Sequence, residues 1–435
     1  MATALEYLES LNSLGSVPGL ASIKELLFRL DNPHRQLKII HISGTNGKGS
    51  VGAFVDRILL TGGYSTGRFS SPAVMNPYEI IRINGMDITE KELSPVISKI
   101  EAVCKEMETD GLPHPTRFEV ETAAAFMIFA DKKTDYAIIE CGMGGALDAT
   151  NVSDKIECGV ITSISKDHVG FLGHSIEEIA TQKAGIIKEG CFVITTDSND
   201  CVMDILKSET AKNQGRLVVA DSKMISEVIY DSDNMITEFS YGRYKNIRIR
   251  LGGTYQCHNA IIAIEAIEAI IERGAVITDE AIYKGLYDTV WSGRFERIHR
   301  SPEFIIDGAH NPAGAKALAK SIEAYYPDKK FVFIIGIFKD KDVLGILDEI
   351  LPYAAKIITI ETPSNERALD CKTLADIIKN NYNIPISFFE NISMAVEHAF
   401  ELCDEECGIV ACGSLSNLRR IKEEVSKYAD RRKGI

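Results

Sequence analysis

Between an apolar run, Lys38–Ser43 (KIIHIS), and an amphipathic stretch, Lys48–Leu60, stands the string Ser43-Gly44-Thr45-Asn46-Gly47-Lys48-Gly49-Ser50. A glycine-rich turn that joins a buried strand to a helix constrains the fold strongly, because it belongs to a parallel sheet covered by helices. Its glycines let the backbone turn N–H groups inward, and the helix N-terminus favours negative charge. Lys48 is placed to reach the β- and γ-phosphates of a nucleotide. The spacing departs from the general pattern GxxxxGK[ST] in that Gly49 stands between Lys48 and Ser50. The alternative is an ordinary glycine turn ahead of a helix.

The pattern around the loop supports the same architecture. Thr116–Asp131 and Ser175–Ala184 read as helical, and Asp135–Cys141, Cys158–Thr162 and Cys191–Thr195 as strands. Glu238–Arg250 alternates as an antiparallel hairpin would, and His258–Arg273 is helical. Beyond Trp291-Ser292-Gly293-Arg294 a second series begins, with strands expected at Glu303–Ile306, Phe331–Ile335, Lys356–Ile360 and Gly408–Cys412. Helices fit between them at Ala313–Tyr325, Asp342–Leu351 and Met394–Leu402. A chain of 435 residues exceeds one comfortable core. The expected fold is α/β: a P-loop-type, mostly parallel sheet domain over 1–295, then a smaller Rossmann-like α/β domain over 296–435.

A formal net charge of −14 argues against nucleic-acid binding, which needs basic surface. An anionic ligand must then be held by backbone N–H groups, a few cations and metal ions. No apolar run reaches the length of a membrane span. The first residues carry Glu6 and Glu9 and no basic segment before an apolar one, so no leader is expected and the cytoplasm is the expected compartment. The 10 cysteines are scattered, several in apolar runs (Cys158, Cys191, Cys412), which suits buried free thiols. The spacing of Cys403 and Cys407 suits a helix face better than a zinc site.

Further strings follow in a fixed order: Ser71-Pro72, Thr116-Arg117-Phe118-Glu119, Glu140-Cys141-Gly142-Met143-Gly144-Gly145, Leu147-Asp148-Ala149-Thr150-Asn151, Asp167-His168, Lys183-Ala184-Gly185-Ile186, Gly293-Arg294-Phe295-Glu296 and Asp307-Gly308-Ala309-His310-Asn311-Pro312. With Gly44–Ser50 (GTNGKGS) they resemble the folylpolyglutamate synthases of the Mur ligase superfamily, along most of the chain. The resemblance implies an ATP-dependent ligase that joins glutamate to a folate carboxylate through an acyl phosphate, releasing ADP and phosphate. Extension of the tail on tetrahydrofolate is implied first, and addition of the first glutamate to dihydropteroate as well.

It also implies roles. Gly44, Thr45, Asn46, Gly47, Lys48, Gly49 and Ser50 hold ATP phosphates, and Asn259, Arg294 and Asp307 complete the ATP site. Asn259 could instead cap its helix, since Asn is a favoured cap, and Arg294 could pair with Glu296. Ser71, Glu140 and His168 are implied ligands over two magnesium sites. Glu140 ends an apolar strand, where ligands bind in open α/β sheets. His168 read alone would be a turn histidine. Lys183 read alone would be a solvated surface lysine; the family implies a carbamylated lysine that orders the metal's waters. Lys48, Lys183 and His310 are the expected catalytic residues. Thr116, Phe118, Glu119, Leu147, Asp148 and Ala149 match folate-contacting positions, with Phe118 stacking on the pterin and Asp148 accepting its N–H groups; a core aromatic and a helix or turn cap are the alternatives.

The sequence departs from the family pattern at Ala146, where Arg is common, at Ile80-Ile81 after Glu79, at Ala73 and at Tyr255, where His is usual. These positions bear on folate specificity and leave the ATP residues intact. A cell-wall Mur ligase is disfavoured by the LDATN string and by the absence of a leading UDP-binding domain. A P-loop kinase or ATPase would leave Lys183 and Asp307–Pro312 without work. A binding module without activity would be expected to lack Lys48, Glu140 or His168. The expected partners are ATP, L-glutamate and a folate or dihydropteroate, with no nucleic acid and no membrane, and a monomer is expected because the sites fall within one chain.

Overall fold

The computed structural model describes residues 3–15, 17–165, 172–196, 199–363, 367–403 and 407–433. Its larger sheet comprises β1 (Ile39–Ser43), β2 (Thr66–Phe69), β3 (Ile81–Ile83), β4 (Met86–Asp87), β5 (Tyr136–Glu140), β6 (Cys158–Ile161), β7 (Phe192–Thr195) and β8 (Arg216–Val219). The order is β4-β3-β2-β5-β1-β6-β7-β8, parallel from β2 to β8 and antiparallel at β3 and β4. The runs IIHIS and YAIIE are buried along their whole length, as strands covered on both faces must be. Ile39 faces the helices Glu90–Thr109 and Arg117–Asp131, while Ile40 and Ile42 face Lys48–Thr61 and Gln256–Glu272. Register sets Ile42 opposite both Glu140 and Val160, so β5 and β6 end on either side of the loop that leaves β1.

The hairpin expected at 238–250 is part of a three-stranded antiparallel sheet: β9 (Ile225–Asp231), β10 (Ile236–Tyr241) and β11 (Tyr244–Ile249). A second large sheet holds β12 (Glu296–Arg300), β13 (Glu303–Ile306), β14 (Phe331–Ile335), β15 (Ala354–Ile360), β16 (Ile386–Phe389) and β17 (Gly408–Cys412), ordered β12-β13-β17-β14-β15-β16. Only the β12–β13 pair is antiparallel. The small sheet leans on the second unit: Thr237 and Tyr325 share a 2.5 Å hydroxyl contact, and Tyr230, Phe295 and Tyr326 cluster around the Tyr325 ring. Cys403 and Cys407 do not share a helix face, because the helix Ile392–Leu402 stops before Cys403. All ten cysteines are free thiols. Among the described residues, no helix is long and apolar enough to cross a membrane.

His41 is buried in β1, with Nε2 2.9 Å from the Thr150 hydroxyl. Burial, aided by Lys188, lowers its pKa to about 3, against about 6.5 in an unfolded chain. The neutral ring's contribution is therefore full above pH 6.5 and is lost as the pH falls toward 3. Between pH 6 and 4 the unfolding free energy of the wild type should fall about 1.4 kcal/mol per pH unit more steeply than that of His41→Gln. Equal slopes in urea titrations would show that His41 takes up its proton in the folded state.

Candidate active site

The loop after β1 is braced by the segment after β6. Thr45 N donates to Ser163 O (2.7 Å), Asn46 N to Ser163 Oγ (3.1 Å), and the Thr162 hydroxyl to Asn46 O (2.6 Å). At Gly44, with φ +150°, a Cβ would fall 1.9 Å from Thr162 Oγ1; at Gly47, with φ +89°, one would fall 2.5 Å from Asn259 Oδ1. Both positions need glycine for the close approach as well as the backbone angle. The first intrahelical bond runs from Val51 N to Gly47 O, so the N–H groups of Lys48, Gly49 and Ser50 form the unpaired first turn. Lys48 Nζ curls back onto Gly44 O (3.2 Å) and Thr45 O (3.4 Å).

Glu140 is buried at the end of β5, next to this loop. Burial pushes its pKa up, against the pull of Lys48, Arg294 and Arg68 and a hydrogen bond from Ser70. Half-buried Ser71 follows Ser70. A carboxylate and a hydroxyl are hard oxygen donors, which suits Mg²⁺, an ion that keeps several waters and phosphate oxygens as its other ligands. No group of three or more His, Cys, Asp or Glu able to hold a metal occurs among the described residues. His168 lies outside the described residues.

From the linker side, Arg294 Nη1 donates to Gly293 O (3.0 Å), and a Cβ on Gly308 would meet that nitrogen at 2.1 Å. Glu296 is not its partner: it accepts from Gly293 N and from Lys422. Asp307 is buried and takes N–H bonds from Phe295 and Ala309, both 2.8 Å, and the Tyr255 hydroxyl at 2.8 Å. Asn259 is no cap. Tyr255 holds the N-cap position, and Asn259 lies within the first turn of Gln256–Glu272, donating to Gln256 Oε1 (2.8 Å). Gln256 Nε2 reaches Ser50 Oγ (3.3 Å), tying that helix to the loop. His310 Nδ1 lies 2.8 Å from Gly308 O.

Beside the loop opens a cavity of about 1120 Å³. Thr116, Phe118, Glu119, Leu147, Asp148 and Ala149 all line it, and Asn311, Pro312 and Ala313 of the second unit face them. Phe118 is half-buried, 5.8 Å from the Phe69 ring, its ring tip over Gly142, and it lines the cavity. Leu147 is 50% exposed. Thr116 and Glu119 form the capping box of Arg117–Asp131, in which Glu119 accepts from Thr116 N at 2.7 Å. Asp148 accepts from Met143 N (2.7 Å), Thr150 N (3.0 Å) and the Thr150 hydroxyl (2.6 Å), so it caps the turn it stands in while lining the cavity. Burial raises its pKa against those bonds.

Lys183 is 3% exposed, which overturns the solvated-lysine alternative. It ends the helix Ile176–Ala184, and the loop Gly145-Ala146 packs on its backbone so closely that a Cβ at Gly145 would meet Lys183 O at 2.8 Å. Asn151 clamps the same corner through Ala146 O (3.1 Å) and Gly185 O (3.0 Å).

Asn46 was read as part of the loop, but its partner was not: Asn46 and Asn311 pair their amides at 3.3 and 3.4 Å, joining the loop to the second unit, and Asn311 also caps Pro312–Tyr325. Only Asn before a first-turn proline signalled a role, as a cap. Arg68 and Gln256 left no signal.

The sequence matches the Mur ligase middle domain over residues 42–267 and the Mur ligase glutamate ligase domain over 293–415. It is 32% identical over 379 residues to a dihydrofolate synthase/folylpolyglutamate synthase of Bacillus subtilis, covering 85% of this chain and 87% of that one. The fold superposes on Mycobacterium tuberculosis folylpolyglutamate synthase complexed with ADP with a TM-score of 0.89, at 31% identity and 98% coverage of both chains. A bifunctional folylpolyglutamate synthase/dihydrofolate synthase with Mn, AMPPNP and L-glutamate bound gives a TM-score of 0.82, at 26% identity and 98% coverage of both. With both domain matches in order on a glycine-rich loop, a carboxylate-ended strand and a cavity between two sheets, this chain belongs to the Mur ligase superfamily, in its folylpolyglutamate synthase/dihydrofolate synthase family.

Proposed function

We propose that this protein ligates L-glutamate to folates at the expense of ATP, extending tetrahydrofolate and also converting dihydropteroate to dihydrofolate. One observation carries the reading: the nucleotide loop and the large cavity share a wall. Ser165 and Asn311 line the cavity and bond Thr45 and Asn46 of the loop. A carboxylate seated in the cavity therefore lies beside a nucleotide's terminal phosphate. The γ-phosphoryl passes to that carboxylate as the ADP bridging bond breaks. The amine of glutamate attacks the acyl phosphate, loses a proton and expels phosphate as the amide forms.

Phosphoryl transfer demands alignment and charge neutralisation more than covalent chemistry. Lys48 and the unpaired amides of Lys48–Ser50 take the phosphates, and Arg294 neutralises charge from the linker. Asn259, beside Gly47, and Asp307 serve the rest of the nucleotide. Glu140 and Ser71, with His168, hold Mg²⁺ at two sites. The ion supplies further neutralisation of phosphate charge when bound. Lys183 is carbamylated in this reading, an anion that would order the waters of the metal. His310, within the Asp307–Pro312 string, serves catalysis from the second unit. Phe118 stacks on the pterin and Asp148 accepts from it. The two functional units divide at Phe295/Glu296, where β12 begins, and a single cytoplasmic chain acts as a monomer because loop and cavity both lie within it.

ADP release with MgATP and glutamate, with tetrahydrofolate or dihydropteroate added separately, tests this directly. Mass spectrometry should show acceptors heavier by glutamate residues; no acceptor-dependent ADP from either compound would sink the proposal. Phe118→Ala should raise KM for both acceptors about tenfold and leave KM for ATP unchanged. An unaltered acceptor KM would remove Phe118 from the pterin site.

A further inference from the structure

Trp291, the only tryptophan, stands two residues before the linker glycine Gly293. Its indole is 9% exposed and lies directly on the nucleotide loop: a Cβ at Gly49 would stand 2.8 Å from Nε1 and 2.9 Å from Cζ2. The glycine between Lys48 and Ser50 thus has a steric cause, since any larger residue there would displace the ring. Over the ring lie two guanidiniums, Arg68 at 4.4 Å and Arg82 at 5.4 Å from its centroid.

Arg68 is 2% exposed, and among the described residues its Nε and Nη2 have no hydrogen-bond partner; neither has Trp291 Nε1. Burial lowers the Arg68 pKa to about 10, against the pull of Asp56. A buried guanidinium with unmet N–H groups is costly, and an aromatic face is among the few neighbours that compensate it. Arg82 is held in turn by Asp87 (2.6 Å) and Glu79 (3.5 Å), and Glu79 takes the N–H groups of Val74 and Met75. The indole is therefore held between the loop on one side and the guanidiniums of β2 and β3 on the other. Three residues on, Arg294 lies against Gly308.

We propose that Trp291 is a positioning residue for the ligation, wedged between Gly49 and the Arg68–Arg82 pair so that it fixes the linker to the nucleotide loop and sets Arg294 at the nucleotide. The proposal rests on the reading that Arg294 acts on ATP. Replacing the wedge loosens the linker at its loop end, and Arg294 loses its aim while the acceptor cavity is untouched.

Steady-state kinetics on Trp291→Leu, Trp291→Phe, Arg294→Ala and the Leu/Ala double variant test it. Trp291→Leu should raise KM for ATP about tenfold and leave KM for tetrahydrofolate unchanged, and Trp291→Phe, which keeps a ring on Gly49, should recover most of the loss. In the Arg294→Ala background, Trp291→Leu should add less than about twofold, because coupled residues are non-additive. Full multiplication of the two effects overturns the proposal and leaves Arg294 on ATP. Unchanged ATP kinetics in Arg294→Ala overturns the Arg294 reading, and the proposal with it. The wild type gives a measurement that needs no variant: saturating MgADP should shift the emission of the single tryptophan, and unchanged emission overturns the contact between wedge and occupied loop.

Discussion

Lys48→Met should lower folate-dependent ADP release about 10³-fold, the usual cost of removing a donor aimed at developing charge in a transition state. Methionine keeps the stem of the side chain and removes the ammonium. Among the described residues that ammonium bonds two carbonyls of its own loop, at 3.2 and 3.4 Å, so little folding free energy depends on it. The midpoint of thermal unfolding should therefore stay within about 2 °C of the wild type, since surface-type losses rarely exceed ~0.5 kcal/mol. Retention of more than about a tenth of the activity would take Lys48 out of phosphate transfer. A collapse of the midpoint would instead identify it as a structural brace of the loop.

Glu140→Gln carries the second largest expected effect, a fall of about 10²-fold or more in kcat/KM for ATP, because amide oxygen is a poorer ligand for a divalent ion than carboxylate. The shape of the substitution is nearly neutral, so the loss should be partly recovered by raising Mg²⁺. The acid side of the pH–rate profile gives a second readout. Burial raises the Glu140 pKa, and Lys48, Arg294 and Arg68 only partly offset it. The carboxylate must be ionised to serve, so the wild-type rate should fall as the pH is lowered through that raised value, and the Gln variant should lose this limb of the profile. A variant with wild-type magnesium dependence would show that the ion is held elsewhere.

Much of this was legible in the residues themselves. Phe331–Ile335 and Gly408–Cys412 are uninterrupted apolar runs, Glu303–Ile306 is apolar after its first residue, and all three are strands with those bounds. The loop was legible because glycine at Gly44 and Gly47 is required by local geometry, which leaves its mark on the sequence. The edge strands were not. Glu296–Arg300 (ERIHR) is charged, as an exposed edge tends to be, and Ile386–Phe389 has four residues. The C-terminal helix Leu415–Lys433 is mostly polar, and its buried stripe is the sparse series Leu415, Leu418, Ile421, Val425 and Tyr428, which the sequence reading did not place. Within the site, the resemblance supplied Lys183, but its burial, and the packing of Gly145 against its backbone from 38 positions away, have no local signature. The Asn46–Asn311 contact spans 265 positions, so nothing local in the sequence joins the two residues.

The ring cluster where the small sheet meets the second unit has a mechanical consequence. Tyr230, Phe295, Tyr325 and Tyr326 interlock at centroid separations of 5.1–6.5 Å, and Phe295 itself belongs to the linker. Such a joint is apolar, and prising it apart would expose several aromatic faces to water at once. Across the cleft, the loop is joined to the second unit by the Asn46–Asn311 amides, each of which water replaces for about 1 kcal/mol. One side is a fulcrum and the other a cheap clasp. The contact between the small sheet and the second unit is thus carried by the rings far more than the loop's contact is carried by its clasp.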